Sequence, residues 1–196
     1  GTAKNVWQKA EKQKMNIIDA TCPLVHEIHH EVKALHNEGR KIIIIGDHGH
    51  DEVVGIASQI PDPIVIASVE EAKALRKTKK AGIVSQSTQT IENVQDIINI
   101  LMTKVFDLRF VNTICFPTKR NQEQIKELSE VTDLMIIIGS FTSANSKRLA
   151  ELSKERNKNT YQVTCAAEID SAWLASGVNS VGISAGASTP DWIIES

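Results

Sequence analysis

Two short apolar runs constrain the fold of this chain most strongly. The segments KIIIIG, residues 41–46, and LMIIIG, residues 134–139, are almost continuously apolar and do not alternate with polar residues. Continuous runs of this length are typical of parallel strands buried on both faces. Amphipathic segments separate these runs from other short apolar runs, and this alternation indicates βαβ units. We therefore predict an α/β protein with mainly parallel sheets.

The two runs belong to a repeat. Cys22 lies 24 residues before Gly46, and Cys115 lies 24 residues before Gly139. Each cysteine stands between a predicted strand and a predicted helix, and each glycine ends the next strand. The same spacing around two different apolar runs indicates two related supersecondary units.

A second echo fixes the extent of the units. The segment GIVSQST, residues 82–88, is similar to GISAGAST, residues 182–189. We therefore predict two pseudo-repeated α/β units, residues 23–108 and 109–196, preceded by an entry segment at residues 1–22. Because the chain begins at a glycine and ends in the first turn of a predicted helix, we expect a fragment of a longer protein.

Polar segments follow each predicted strand. In sequence order they are ATCP, GDHGHDE, SQSTQT, TICFPTKR, GSFTSANS and SAGASTPD. Ligands of open α/β sheets lie at the carboxyl ends of the strands. If a rotation relates the two units, these six loops converge on one cavity.

Composition excludes several classes of function. Apolar residues make up 41% of the chain and charged residues 23%, and the formal net charge is −2. This balance has no basic footprint for nucleic acid or a membrane surface, and no apolar run approaches the roughly 20 residues that span a bilayer. Three widely spaced cysteines without a secretory signal favour a reducing compartment, so we expect a cytoplasmic protein.

The cysteines have two interpretations. A lone cysteine is commonly a small buried apolar side chain. The equivalent positions of Cys22 and Cys115 instead favour a shared role, and thiolates on converging loops are ligands for a metal or an iron–sulfur cluster. Cys165 does not follow the 24-residue spacing, although a simple count would make it a third ligand.

The histidines also leave alternatives open. His48 and His50 in GDHGHDEV form either a solvated turn, a zinc site with the cysteines, or an anion and proton-transfer site in which Glu52 is the acid. His26 and His30 are four residues apart on a predicted helix. They could hold a metal, but the solvated face of the helix is the simpler interpretation.

Three hydroxyl-rich segments precede predicted helices, at residues 85–90, 140–146 and 184–189. Ser and Thr at such positions are first of all helix N-caps. Free backbone N–H groups and hydroxyls at a helix start also bind phosphate. Phosphate binding without redox chemistry is therefore one candidate function.

The motifs DATCPLV, GDHGHDEVVG, SQSTQT, TICFPTKRNQ, GSFTSANSKRLAEL and ISAGASTPDW occur in that order. Together they resemble the LytB/IspH family of 4-hydroxy-3-methylbut-2-enyl diphosphate reductases, over residues 1–196. The resemblance implies a trefoil of three α/β units around a cavity in which three cysteines hold a [4Fe–4S] cluster. It also implies the last step of non-mevalonate isoprenoid synthesis, where two electrons and a proton remove an allylic hydroxyl as water. The products are isopentenyl and dimethylallyl diphosphate.

The resemblance assigns roles to residues of the first unit. It implies that Cys22 and Cys115 are cluster ligands and that His50 binds the substrate diphosphate. Glu52 matches the family's proton-delivering glutamate. Ser87 stands where the family usually has a threonine that relays the proton and contacts substrate, and it keeps the hydroxyl.

Further residues are implied in the second unit. Ser143, Asn145 and Ser188 match the diphosphate-binding residues of the family, and Thr118 matches a threonine that lines the cavity. Ala144 replaces a serine that is common in the family, so one hydroxyl contact is lost or supplied by backbone.

One departure from the family affects the cofactor. The first cluster cysteine belongs to an N-terminal unit that these residues do not include, and Cys165 has no counterpart among the ligands and is interpreted as structural. We therefore expect the 196 residues alone to hold no stable cluster and to be inactive. The implied partners are a small diphosphate substrate and an electron donor such as ferredoxin or flavodoxin, with no nucleic acid or membrane partner and a monomeric state.

Overall fold

The computed structural model of the chain describes residues 3–174 and 177–195. The chain divides into two compact units, Gly1–Cys115 and Phe116–Ser196. All pairings between neighbouring strands in both units are parallel. The predicted α/β class with parallel sheets is therefore confirmed.

The first unit is a four-stranded sheet flanked by helices. Its strand order is β2-β1-β3-β4. The elements are α1 (Lys4–Lys12), α2 (Pro23–Asn37), β1 (Lys41–Ile45), α3 (Asp51–Ala57), β2 (Ile64–Ile66), α4 (Val69–Ala74), β3 (Thr78–Ser85), α5 (Ile91–Met102) and β4 (Val105–Phe110).

The second unit is a three-stranded sheet of order β6-β5-β7. The elements are α6 (Phe116–Val131), β5 (Leu134–Ile138), α7 (Ala144–Arg156), β6 (Thr160–Val163), two short 3-10 turns (Ala166–Glu168 and Ser171–Leu174), β7 (Val181–Ala185) and α8 (Asp191–Ile194). The order β6-β5-β7 repeats the order β2-β1-β3, so the topology carries the repeat.

The continuous apolar run of β1 is explained by burial on both faces. Ile43 and Ile45 pack in a cluster that includes Leu101 of α5. Ile42 and Ile44 pack in a second cluster with residues of α2 and α3. The same division splits β5 between two clusters, because a strand covered on both sides has no polar face.

The repeat extends to close packing of helix on strand. A Cβ atom built on Gly82 of β3 would lie 2.9 Å from the Cβ of Leu35 on α2. A Cβ atom built on Gly182 of β7 would lie 2.9 Å from the Cγ of Leu128 on α6. Leu35 and Leu128 are 93 residues apart, as are Cys22 and Cys115. Each unit therefore uses a glycine in its third strand to seat a leucine of its first helix.

Several predicted elements differ from the structure. The strand expected at residues 16–19 is irregular chain; there the Asp19 carboxylate accepts a hydrogen bond from the Thr21 backbone N–H, at 2.9 Å. The strand expected at 109–113 is β4, which begins earlier. The helix expected at 167–176 is replaced by the two 3-10 turns, and residues 175 and 176 lie outside the described residues.

The division between the units also differs in position. The boundary expected between residues 108 and 109 falls inside β4. This strand pairs with β3 over five residue positions, and it completes the first sheet. Within the described residues, no helix is both long enough and apolar enough to cross a bilayer.

Candidate active site

The carboxyl ends of three strands bring the first group of candidate residues together. Ile45 at the end of β1 lies opposite Ser85 at the end of β3. Beyond β4, the backbone N–H of Cys115 donates to the carbonyl oxygen of Ser87, at 3.0 Å. The loops after β1, β3 and β4 are therefore neighbours, as expected for parallel strands.

Glu52 and Ser87 form the centre of this group. The Ser87 hydroxyl donates to one carboxylate oxygen of Glu52, at 2.7 Å, and the Ser87 backbone N–H donates to the other, at 2.6 Å. Glu52 is only 9% exposed and Ser87 only 8%. A carboxylate held by two donors away from water has a fixed position, and its hydroxyl partner shares the hydrogen bond through which a proton can pass.

His50 is linked to this pair through the start of α3. It is the N-cap of the helix, and its Nδ1 accepts a hydrogen bond from the Glu52 backbone N–H, at 3.2 Å. This contact fixes the ring and leaves Nε2 as the other polar atom of the side chain. His50 is only partly buried, so it can meet a ligand at the same edge of the sheet.

His48 has a different partner. Its Nε2 lies 2.8 Å from a carboxylate oxygen of Glu71, and this hydrogen bond is the main reason that the pKa of Glu71 is lowered. The two histidines of the GDHGHDE loop are therefore used separately. Within residues 3–174 and 177–195, no group of three His, Cys, Asp or Glu side chains is placed to hold a metal ion, so the zinc alternative has no supporting site there.

Gln86 is a structural member of the site that the sequence analysis did not identify. It is fully buried; its side-chain oxygen accepts from the Asp47 backbone N–H, at 2.9 Å, and its amide nitrogen donates to the Thr88 hydroxyl, at 2.9 Å. Gln86 thereby joins the loop of His50 to the loop of Ser87. No sequence pattern marks it, because one of its partners is a backbone group of a distant loop.

The three cysteines occupy different environments, and all are free thiols. Cys115 is half-buried next to Ser87, and Cys22 is exposed as the N-cap of α2. Cys165 precedes a 3-10 turn and is also exposed. The equivalence of Cys22 and Cys115 therefore holds for the helix that follows each cysteine, but Cys22 follows irregular chain instead of a strand.

The second unit places three candidate residues around the loops after β5 and β7. Ser143 is the N-cap of α7, and its hydroxyl accepts from the Ser146 backbone N–H, at 3.3 Å. Asn145 is 8% exposed, and its side-chain nitrogen has no hydrogen-bond partner. Ser188 is exposed in the loop that follows β7.

Ser146 shows how closely these two loops approach. Its hydroxyl is buried without a partner, and Cβ atoms built on either Gly139 or Gly186 would collide with it. The Gly186 backbone N–H donates to the carbonyl oxygen of Ile138, at 2.9 Å. Two unpartnered donors, on Asn145 and Ser146, therefore lie at the start of α7, where an anion would be favourable.

The remaining candidates lie on helices. Thr118 is buried on α6. His26 on α2 forms an ion pair with Asp19, at 3.2 Å, and His30 is exposed. His29, which the sequence analysis left unassigned, has a buried Nε2 without a partner, and its pKa is lowered to about 4, mainly by burial.

A buried carboxylate bonded to a hydroxyl, with a thiol on the adjoining loop, is a constellation of enzyme sites at the carboxyl ends of parallel strands. The chain belongs to the LytB family, because the family model described as LytB protein matches residues 1–196. This confirms the family predicted from the sequence motifs.

Similar proteins are enzymes with one name. The chain is 42% identical to 4-hydroxy-3-methylbut-2-enyl diphosphate reductase of Geotalea daltonii and 41% identical to that of Geobacter sulfurreducens, covering the whole chain and 69% of each relative. Among solved structures, a reductase described as the terminal enzyme of the non-mevalonate pathway is 39% identical, with a TM-score of 0.64 and 70% of its chain covered. The reductase from Plasmodium falciparum is 29% identical, with a TM-score of 0.93 and 63% covered.

Proposed function

We propose that this chain carries the proton-delivering and diphosphate-binding residues of a 4-hydroxy-3-methylbut-2-enyl diphosphate reductase. The carrying observation is the buried Glu52 carboxylate bonded to the Ser87 hydroxyl on the loop next to Cys115. The reaction breaks the allylic C–O bond, and the hydroxyl leaves as water after it takes up a proton. Two electrons from an external donor complete the reduction to isopentenyl or dimethylallyl diphosphate.

The hydrogen bond between Ser87 and Glu52 supports a route for the proton. The serine hydroxyl donates to the carboxylate when Glu52 is ionised. When Glu52 is protonated, the same hydroxyl accepts from Glu52 and can donate onward to the substrate hydroxyl. General acid catalysis of this kind requires hydrogen-bond reach, which the pair already has.

Asn145 supports the assignment of the diphosphate to the second unit. Its buried side-chain nitrogen has no partner, and a buried donor without a partner is destabilising unless a ligand satisfies it. In this proposal the substrate diphosphate accepts from Asn145 and from the hydroxyls of Ser143 and Ser188, and His50 contributes from the first unit.

The thiols determine whether these residues fit the [4Fe–4S] cluster that the family resemblance implies. Cys22 and Cys115 can anchor two irons, whereas a cluster with one open iron needs three thiolates. The described residues therefore do not fit a whole cluster. We propose that the 196 residues alone hold no stable cluster and do not turn over substrate.

Anaerobic reconstitution with iron and sulfide, followed by iron and sulfide analysis, tests this part. We expect far less than one cluster for each chain, and the same result for a Cys115→Ala variant. Near-stoichiometric cluster in the unsubstituted chain, lost in Cys115→Ala, would overturn it. The external donor (ferredoxin or flavodoxin), the monomeric state and the cytoplasmic location stay predictions.

A phosphate-binding module without redox chemistry is the alternative. The two unpartnered donors of the second unit favour it, because they need only an anion. An iron–sulfur absorption band in a longer protein that contains this sequence and a third cysteine distinguishes the two. Its absence after anaerobic purification would favour the alternative.

A further inference from the structure

A cavity of about 420 Å³ lies at the opposite edge of the first sheet from the candidate site. It is lined by the first residues of β1, β3 and β4, which are Lys41, Thr78 and Val105. The candidate site instead follows the last residues of the same strands. The cavity is therefore separate from the proposed reaction, and its size is within the range of small-molecule sites.

One wall of the cavity is apolar. It is formed by Ile43, Ile64, Leu75, Leu101 and Val105. Ile43, Leu101 and Val105 belong to the buried core of the unit, so this wall has a fixed shape. An apolar group that entered the cavity would be removed from water against it.

The rim of the cavity is basic. Lys41, Arg76, Lys77 and Lys104 line it, and no carboxylate does among the described residues. The chain as a whole has a net charge of −2, so this concentration of positive charge is local. Four cations around one opening attract an anion and raise its local concentration.

Neutralisation of helix ends explains only one of these cations. The Lys104 ammonium donates to the carbonyl oxygens of Lys73 and Leu75 at the end of α4, at 2.5 and 2.7 Å. No hydrogen bond or ion pair engages the side chains of Lys41, Arg76 or Lys77 within the described part of the chain. Three cations therefore remain available to a ligand.

We propose that this cavity binds a short-chain organic phosphate. The chain of the ligand lies against the apolar wall, and the phosphate meets Arg76 and Lys77. The Arg guanidinium fork matches phosphate oxygens in pairs, and the neighbouring ammonium groups add charge. The proposal does not depend on the reductase activity, because no residue of the candidate site lines the cavity.

Calorimetric titration of the chain with isopentyl phosphate tests the proposal, with inorganic phosphate and isopentanol as probes of the head and the tail alone. We expect saturable binding of isopentyl phosphate, weaker binding of each part, and loss of affinity as salt is raised. In NMR spectra, the methyl groups of Ile43, Leu75 and Val105 should shift. Shifts around Ser143 and Asn145 instead would overturn the proposal.

Charge variants localise the phosphate. We expect Arg76→Gln and Lys77→Gln each to weaken binding by about fivefold. Lys79→Gln is the matched control, because Lys79 is exposed on the same strand but does not line this cavity. Equal losses in all three variants would mean general charge attraction and would overturn the site.

A phospholipid surface could supply the same chemistry. Sedimentation with phosphatidylglycerol vesicles separates the two sources. The enclosed cavity predicts that the vesicles do not bind the chain under conditions where isopentyl phosphate does. Vesicle binding without binding of the soluble phosphate would overturn the proposal.

Discussion

The two units place polar residues at equivalent loops but treat their hydrogen bonds differently. In the first unit, Glu52, Ser87 and His50 are bonded to one another. In the second unit, the side-chain nitrogen of Asn145 and the hydroxyl of Ser146 are buried without partners. Both sets follow the strands of the same parallel topology, so the difference lies in the side chains and not in the fold.

This difference indicates a division of labour. A group that transfers a proton has to be held within hydrogen-bond reach, which the bonded set of the first unit provides. Donors that bind an anion are best left free until it arrives, because a partner within the protein would have to be displaced. The first unit is therefore suited to chemistry and the second to binding.

The largest expected effect separates chemistry from binding in the first unit. In the longer reductase that contains this sequence, Glu52→Gln should lower kcat by roughly a hundredfold with little change in KM. The amide keeps an acceptor for the Ser87 N–H and a donor for its hydroxyl, so the loop is retained, but the acid is lost. Steady-state kinetics with the reduced donor measure both constants.

Asp51→Asn is the matched control for this change. Asp51 is the preceding residue on α3 and is exposed, so removal of its charge should leave kcat within about twofold, as for a surface substitution. An unchanged kcat in Glu52→Gln, with chemistry shown to limit the rate, would contradict the role of Glu52. A rise in KM alone would move Glu52 from chemistry to binding.

The equivalent glycines at the ends of β1 and β5 test whether the second site depends on close approach of its loops. Gly139 has a φ of +157°, and an added Cβ would lie 2.9 Å from the Cβ of Ser146. An added Cβ on Gly46 would lie 2.6 Å from Val53. We expect Gly139→Ala to destabilise its unit by about 3 kcal/mol and Gly46→Ala by about 2 kcal/mol, since only Gly139 adds backbone strain.

Gly39→Ala separates strain from collision. Gly39 has a φ of +72° with open space around the position of a Cβ, so only conformational strain of about 1 kcal/mol is expected. Amide hydrogen exchange in β1 and β5 measures each unit separately. If Gly139→Ala were no worse than Gly39→Ala, the collision with Ser146 would be absent in solution.

The layout of the fold could be predicted from the sequence because it depends on local patterns. The apolar runs of β1 and β5 and the spacing of Cys22 and Cys115 are visible in the chain, and they correspond to buried parallel strands and to repeated helices. The irregular segment before Cys22 could not be predicted, because residues 16–19 resemble a strand but have no neighbouring strand to pair with.

The site was predictable in part, for a similar reason. Glu52 and Ser87 lie in motifs that resemble a family, and their hydrogen bond follows from the register of β1 and β3. Gln86 was missed because its role depends on a backbone group of the Asp47 loop. The missing partner of Asn145 was equally hidden, since an absent hydrogen bond depends on three-dimensional packing.

Paired substitutions sharpen the comparison of hydrogen bonds. Ser87→Ala removes the hydroxyl that donates to the buried Glu52, so we expect a loss of about 2 kcal/mol in the first unit. Asn145→Ala removes a nitrogen that has no partner, so the loss in the second unit should stay below about 1 kcal/mol. Hydrogen exchange in the two sheets measures both; equal losses would mean that Asn145 is satisfied within the protein.

His29 is the exception within the first unit, and it gives the smallest expected effect. Its Nε2 is buried without a partner on α2, away from the strand ends, and the cationic Lys33 on the same helix adds to burial in lowering its pKa to about 4. The unfolded chain binds a proton at this histidine near pH 6.5, before the folded chain does. The free energy of unfolding should therefore fall between about pH 6.5 and pH 4 and level off below that.

Several carboxylates contribute to the same trend, because partners such as Arg40 beside Glu38 lower their pKa values. Subtraction of the His29→Gln profile isolates the part due to His29, and His30→Gln is the control, since His30 is exposed on the same helix. Urea unfolding at several pH values, followed in the first unit by hydrogen exchange, gives the profiles. Parallel profiles for the unsubstituted chain and His29→Gln would mean that the ring reaches water in solution, and the contrast between unpartnered groups would then belong to the second unit alone.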